Sequence, residues 1–399
     1  MLKISDIDVV IDELLPEIIK TRQVLHAHPE LSLKEYKTSA FIRAQLSKLD
    51  VEVLPPFLST DVVALLSGKK NGKNVTLRAD MDALPIKEEN TFPYRSGNKG
   101  VMHACGHDGH TAMLLGAAII LEKFKDHLDG SVRFVFQPGE EVVADGKELI
   151  EKGILRDPKP IAGLALHGWP GCPTGTICSK SGDLMAAADF FKIKITGKGG
   201  HGSNSDQQNN PIVIASKIVN GLTTIPEMEF SADDSVVISI TKFVGGTASN
   251  IIPNEVIIEG STRYFAESAG KRIPDLFRKV LETECKHTEI KYELKYDRPY
   301  IATVNDPEII NGCKSITKQF IGESAWADIH DPVMSSEDFS YYINGNPGGM
   351  FFLGMGVESA GLHTNAYDFN DKAIMNGMKF LVISTFFFLN KNIFHHGNQ

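Results

Sequence analysis

Residues 101–110, VMHACGHDGH, hold three histidines, one cysteine and one aspartate in ten positions. Side chains of these types bind transition ions, attack carbonyls or move protons, and they contribute little to an apolar core. Cys105 and His107 are two residues apart. On a helix they would diverge by about 200°, whereas in an extended segment alternate residues share a face. The pattern GHTAMLLGAAIILEKF predicts a helix over 109–124, with Asp108 as its N-cap. The pair then falls in the connection before that helix, at the carboxyl edge of a sheet, where open α/β folds place their sites. A buried thiol acting as a small hydrophobe beside a turn histidine would fit the stretch equally well.

Four other stretches carry the same kind of residue. QPGEE (137–141) follows a buried-looking strand and sets Glu140 beside Glu141. After Pro-Gly both carboxylates can line one pocket, one binding metal while the other handles protons; solvated surface charge is the plain alternative. ALHGWP (165–170) ends an apolar strand at His167, and LHTNAYDFND (362–371) presents His363 after the strand-like GMFFLGMG. RADMDALP (78–85) alternates Asp80 and Asp82 at a strand end. Each stretch is weak alone, and a lone histidine at such a place is more often structural. Together they put Asp, Cys/His, Glu/Glu, His and His each where a strand gives way to a turn. Cys105, His107, Glu141, His167 and His363 exceed the needs of one tetrahedral zinc. They suit two ions bridged by water or hydroxide, roughly 3.5–4 Å apart. Thiolate and imidazole favour transition ions over Mg²⁺, which leaves Zn²⁺, Mn²⁺, Co²⁺ and Ni²⁺ open.

The elements that position these residues are legible as alternation. Residues 5–27 carry apolar positions at helical spacing. Strands at 62–68, 74–84, 130–137 and 161–169 alternate with helices, which predicts a largely parallel sheet covered on both faces. Near residue 181 the character changes. Residues 187–296 read β-α-β-β-α-β, a small sandwich inserted into the first pattern, which resumes near 297. The expected organisation is a catalytic domain in two parts, 1–182 and 297–399, around an inserted lid at 183–296. The length of 399 residues suits two domains, and 42% hydrophobic with 23% charged residues suits a soluble globular protein. A net charge of −9 argues against a nucleic-acid binder. The apolar run FLVISTFFFL (380–389) is only ten residues long, against roughly 20 for a membrane span, so a buried final helix or strand is expected and no membrane partner. Five irregularly spaced cysteines make a poor disulfide framework. The N-terminus lacks a basic region and cleavage site, so a cytoplasmic location is expected.

The stretches RADMDALP, MHACGHDGH, FVFQPGEE, LHGWP, GKGGHGS, GGTASNIIPNEV and SSEDFSYY, with HAHPELSLKE (26–35), occur in the order of a known family. The chain resembles the aminoacylase and glutamate-carboxypeptidase family of dimetal metallopeptidases, in its amidohydrolase branch of hippurate and auxin-conjugate hydrolases. The resemblance implies an α/β dimetal aminopeptidase-like catalytic domain with an inserted ferredoxin-like (βαββαβ) lid. It implies hydrolysis of N-acyl-L-amino acids, with a dipeptidase or carboxypeptidase acting on unblocked peptides as the alternative. Two divalent ions per subunit follow, Mn²⁺ or Zn²⁺ first and Co²⁺ or Ni²⁺ next. It implies Cys105, His107, Glu141, His167 and His363 as ligands, Glu140 as general base and Asp82 as the carboxylate orienting a ligand. In the lid it implies His201 against the substrate carbonyl or carboxylate, and Asn250 and Arg263 near the substrate carboxylate; a surface arginine fits Arg263 as well. His103 and His110 receive no role. Some members of the family dimerise through the lid edge, which an exposed strand here would permit.

The chain departs from the branch after GKGGHG, where SNSDQQNNPI replaces the usual Ala-Met-Pro and a histidine. That puts the substrate choice and the pose of His201 in question. Two other chemistries compete. A cysteine hydrolase would use Cys105 as nucleophile without metal, leaving Glu140, Glu141, His167 and His363 without work. A non-catalytic binder on the same fold would not depend on Glu140.

Overall fold

Ile7, Val10, Ile11, Ile18 and Leu25 line one face of the first helix, and Arg22 and His26 continue the same buried stripe. The computed structural model describes residues 2–70, 72–203 and 209–390. The chain forms two compact units, one built from Met1–Leu184, Val304–Asp331 and Asp338–Gln399, the other from Met185–Thr303 and Pro332–Glu337.

In chain order the first unit contains α1 (Ile4–Ala27), α2 (Tyr36–Leu46), β1 (Glu52–Val53), β2 (Val62–Ser67), β3 (Asn74–Asp80), α3 (His107–Lys123) and β4 (Ser131–Gln137). Then come α4 (Glu140–Val143), α5 (Asp145–Glu151), β5 (Ala162–Pro170) and β6 (Ile177–Ser179), and β7 (Gly182–Met185) leads out. The second unit holds β8 (Ala187–Thr196), β9 (Gly200–His201), α6 (Pro211–Glu229), β10 (Val237–Gly245), β11 (Ile251–Ile252), β12 (Glu255–Tyr264), α7 (Glu267–Cys285) and β13 (Lys291–Tyr300). After β14 (Thr303–Asn305) the chain adds α8 (Pro307–Phe320), β15 (Trp326–Asp328), α9 (Ser340–Ile343), β16 (Gly348–Gly356) and α10 (Ile374–Asn390).

One eight-stranded sheet, ordered β1-β2-β4-β3-β5-β16-β6-β15, forms the first unit. The pairs β4-β3, β3-β5, β5-β16 and β6-β15 are parallel. β1-β2, β2-β4 and β16-β6 are antiparallel, so the sheet is mixed where the alternation predicts a largely parallel one. The reason lies in the connections: β1 and β2 are joined by a short loop, which returns the chain antiparallel without a helical crossover. The central strand β3 is buried along its whole length. Helix α3 is buried from His107 to Ala118 and again at Ile120 and Leu121, because α1 and α10 pack against it. The apolar C-terminal run is a helix. Residues 371–390 are long and apolar enough to cross a membrane by length and composition, yet 67% of the window is buried inside the protein, where Phe380 meets Phe351.

The second unit has a four-stranded antiparallel sheet ordered β10-β12-β8-β13. With α6 and α7 this is the βαββαβ ferredoxin-like arrangement. Ile214, Ile218, Leu222, Ile273, Phe277 and Leu281 from the helices fill its core against Ile193, Ile195 and Ile258. Residues 204–208 of the unusual loop lie outside the described residues.

Gly354 on β16 pairs with Trp169 at the end of β5. A Cβ there would sit 1.9 Å from the Pro173 carbonyl oxygen, a backbone atom that cannot step aside. At Gly163 on β5 the nearest atom to a Cβ is 3.7 Å away, an ordinary contact. Urea unfolding should show Gly354→Ala less stable by about 1–3 kcal/mol and Gly163→Ala unchanged or more stable by up to about 1 kcal/mol.

Candidate metal centre

Three left-handed turns deliver the donors. Gly106 (φ 92°) ends the extended segment after Cys105 and caps α3. Gly139 (φ 65°) turns β4 into α4, so that Glu140 and Glu141 are its first two residues. His363 itself adopts φ 61°, a conformation uncommon outside glycine; its N–H donates to the Ala104 carbonyl 2.8 Å away. Helix α3 thus starts at His107, ahead of the expectation. Asp108 is not its N-cap but lies in the first turn, bound to His26 Nδ1 at 2.8 Å.

Cys105, His107 and Glu141 form a group whose candidate ligand atoms all lie within 4.8 Å of one another. His167 Nε2 is 3.4 Å from Cys105 Sγ, and His363 Nε2 is 3.1 Å from Glu141 Oε1. The five residues named from the sequence therefore come together at the end of β5, in the loop after β16 and at the starts of α3 and α4. Cys105, His107 and His167 are buried, whereas the His363 side chain is 52% exposed. Glu140 is also buried and its carboxylate lies within 4.8 Å of Asp338.

The donor atoms are arranged to bind a cation. His107 Nδ1 donates to Asp82 Oδ1 at 3.2 Å, which leaves Nε2 as the ring atom that a proton or a metal cation can occupy. Asp82 Oδ2 accepts from Ser32 Oγ at 2.6 Å and from the Glu141 N–H at 3.1 Å. Among the described residues, His107 Nε2 and Glu141 Oε1 are buried and make no hydrogen bond. Such atoms are costly unless a further group satisfies them. Burial alone would lower the His107 pKa, but Asp80, with Asp82 and Glu141, outweighs it and raises it to about 10, so positive charge is stabilised at this spot. A thiol, two imidazoles and a carboxylate with free lone pairs fit a transition ion. Burial, then Glu141, Glu140 and Asp80, push the Cys105 pKa well above the usual thiol value, so a thiolate there needs a cation beside it.

Several partners were not assigned from sequence. Asp80 accepts from His110 Nδ1 at 2.6 Å and from Arg78 Nη1 at 2.7 Å. Arg78 also donates to Gln137 at 3.0 Å and to Asp338 at 2.8 Å. Asp80, His107, His110 and His167 lie close enough to hold an ion, but His110 uses Nδ1 on Asp80 and its Nε2 accepts from the Gly168 N–H at 2.7 Å, so it has no lone pair to offer. Beyond them, Arg22 pairs with Asp108, Asp368 and Asp371. His26 donates to Asp108 and Glu88; burial opposes its charge, yet Asp108 carries its pKa up to about 9. The signal for these residues was polar side chains inside otherwise apolar runs, Arg78 and Asp80 in β3 above all.

His201, Asn250 and Arg263 belong to the second unit. His201 pairs with Ile251 on the β9-β11 ladder, and Gly202 N–H donates to the Asn250 carbonyl at 2.8 Å, so His201 and Asn250 are neighbours. Both are exposed. Arg263 is half-buried and donates Nη1 to the Met334 carbonyl at 2.7 Å and to Ser336 Oγ at 3.3 Å, so it is not a surface arginine facing water.

The profile of peptidase family M20/M25/M40 matches residues 76–383. An N-acetylcysteine deacetylase from Bacillus subtilis is 37% identical over 360 residues, 90% of this chain and 93% of the relative. Thermostable carboxypeptidase 1 from Saccharolobus solfataricus is 38% identical over 348 residues, 86% of this chain and 87% of the relative. Among solved structures, the YxeP protein of Bacillus subtilis, described as a dinuclear metal binding peptidase, superposes with a TM-score of 0.81 at 31% identity, covering 95% of this chain and 99% of that one. Fold, donor set and these likenesses agree, and the chain belongs to peptidase family M20/M25/M40.

Proposed function

We propose that the protein is a metal-dependent amidohydrolase that cleaves the amide bond of N-acyl-L-amino acids, acetyl and benzoyl conjugates included. The observation that carries this reading is the buried donor group Cys105, His107 and Glu141, whose inward His107 Nε2 and Glu141 Oε1 lack hydrogen bonds among the described residues. The similarity to an N-acetylcysteine deacetylase supports the acyl-amino-acid class. Two ions held by Cys105, His107, Glu141, His167 and His363, Mn²⁺ or Zn²⁺ with Co²⁺ and Ni²⁺ open, would supply Lewis acidity to a water and to the scissile carbonyl.

The chain's own residues then have distinct work. Asp82 holds the His107 ring by Nδ1 and the Glu141 main chain by its N–H, which fixes two donors with one carboxylate. Glu140 takes the proton from the attacking water and returns one to the leaving nitrogen. His201 polarises the substrate carbonyl, and Asn250 and Arg263 meet the substrate carboxylate. The location proposed is the cytoplasm, in keeping with five free cysteines. The β10 edge, with Phe243 and Val244 exposed, is proposed as a surface for self-association. The second reading is a carboxypeptidase, favoured by the similarity to the Saccharolobus solfataricus enzyme.

Chelation should abolish amidase activity, and Mn²⁺, Zn²⁺, Co²⁺ or Ni²⁺ should restore it; activity that survives full metal removal would sink the metal reading. Glu140→Ala should lower kcat by about 10²–10⁴-fold while metal content measured by atomic emission stays that of the parent. Full turnover in that variant would remove Glu140 from the role of base. Acetyl-, benzoyl- and aminoacyl-amino acids assayed side by side decide the substrate class, with faster cleavage of unblocked dipeptides overturning the acyl-amino-acid assignment.

A further inference from the structure

His110 lies in the motif that supplies Cys105 and His107, yet the proposed chemistry leaves it unused. Its surroundings are specific. β3 and β5 pair in parallel from Val75↔Ala162 to Arg78↔Ala165 and no farther. Past that point the two strand ends part, and His110, 2% exposed, stands between them. Its Nδ1 reaches Asp80 Oδ1 on β3 at 2.6 Å, and its Nε2 reaches the Gly168 N–H on β5 at 2.7 Å. Phe369 packs edge-on against the ring, with centroids 5.9 Å apart.

The polarity of this chain of bonds is forced. A backbone N–H can only donate, so His110 Nε2 must accept from Gly168, and Nδ1 must carry the proton it gives to Asp80. Arg78, which can only donate, holds the other oxygen of Asp80 at 2.7 Å and is itself anchored on Asp338 at 2.8 Å. On the far side, the Gly168 carbonyl can only accept, so His167 Nδ1 carries the proton it donates at 2.9 Å. His167 Nε2 is left as a lone pair, 3.4 Å from Cys105 Sγ. Gly168 thus has its N–H tied to one histidine and its carbonyl to the other.

We infer that His110 is a positioning residue: through Asp80 and Arg78 it pins Gly168 at the fork between β3 and β5, and so sets the place and tautomer of the His167 ring beside Cys105. The inference rests on the metal reading above, in which His167 and Cys105 are both ligands. The tie bears on His167 through Gly168 and makes no hydrogen bond to Cys105.

Cobalt titration of the metal-free, full-length protein reads this directly, because a thiolate on Co²⁺ gives a near-ultraviolet absorption band. The parent protein should develop that band; its absence would overturn the metal reading itself. His110→Phe keeps a ring of similar shape without either nitrogen, and its band should need about 10–100-fold more Co²⁺. His110→Gln offers one acceptor and one donor and should recover most of that loss. A His110→Phe protein that titrates like the parent would overturn the positioning role, and so would a His110→Gln protein as weak as His110→Phe. If circular dichroism shows that His110→Phe does not fold, Asp80→Asn carries the test: it should displace the band in the same direction, and an undisplaced band would overturn the inference.

Discussion

A buried charge must be paired, and the carboxyl end of this sheet buries many of one sign. Asp80, Asp82, Asp108 and Asp338 are each almost wholly removed from solvent. The unpaired cost of such groups is several kcal/mol each. Arg78 answers two of them, Asp80 and Asp338. Arg22 and protonated His26 answer Asp108, with Asp368, Asp371 and Glu88 around them. Glu141 has no lysine or arginine partner among the described residues and faces Cys105, His107 and His363. The negative charge is therefore balanced by protein cations on two sides and left open at one place, where the thiol and imidazoles converge.

The backbone makes that opening by turning sharply at each donor. Gly106 and Gly139 take positive φ where an L side chain would be strained, and both stand next to residues of the cluster. His363 accepts the same conformation without being glycine. A strained non-glycine residue persists where its surroundings hold it, and the Ala104 carbonyl does so by accepting its N–H. Packing adds the rest. Gly109 lets the Phe369 ring lie directly on α3, where a Cβ would come within 2.4 Å of it, and that ring in turn closes over His110.

Much of this was legible because the donors sit in short motifs at strand ends. Cys105 with His107, and Glu140 with Glu141, declare themselves by local spacing and turn residues. Asp82 shows in the sequence as a carboxylate at a strand end, but its role came only through resemblance, since its partners Ser32, His107 and Glu141 are spread over the chain. Asp80 was singled out without a role, and Arg78 and His110 received none. Arg78 and Asp80 are two positions apart on one strand, but the bonds of Asp80 to His110, His110 to Gly168 and Arg78 to Asp338 join residues 30, 58 and 260 positions apart, and no periodicity reports such distances. The start of α3 was misplaced for a related reason: Asp108 has the chemistry of an N-cap, but tertiary pairing with His26 and Arg22 claims its carboxylate, and the left-handed Gly106 takes the capping position. Strand direction at the sheet edges was likewise beyond the pattern, because it depends on whether a loop or a helix returns the chain.

The two ways of balancing the buried carboxylates differ in permanence. An arginine is always charged and cannot leave, which suits Asp80 and Asp338, whose task is to hold strands and histidines in fixed places. A bound ion can exchange, keep coordination positions for substrate and tolerate a change of charge at its ligands during a reaction. The arrangement of exposure follows that division. Arg78 and Asp338 are sealed inside the protein, and so are Cys105, His107 and His167, whereas His363 is half in solvent. One donor at the rim is what an exchangeable cation requires, since a site closed on every side would admit neither the ion nor the molecule on which it acts.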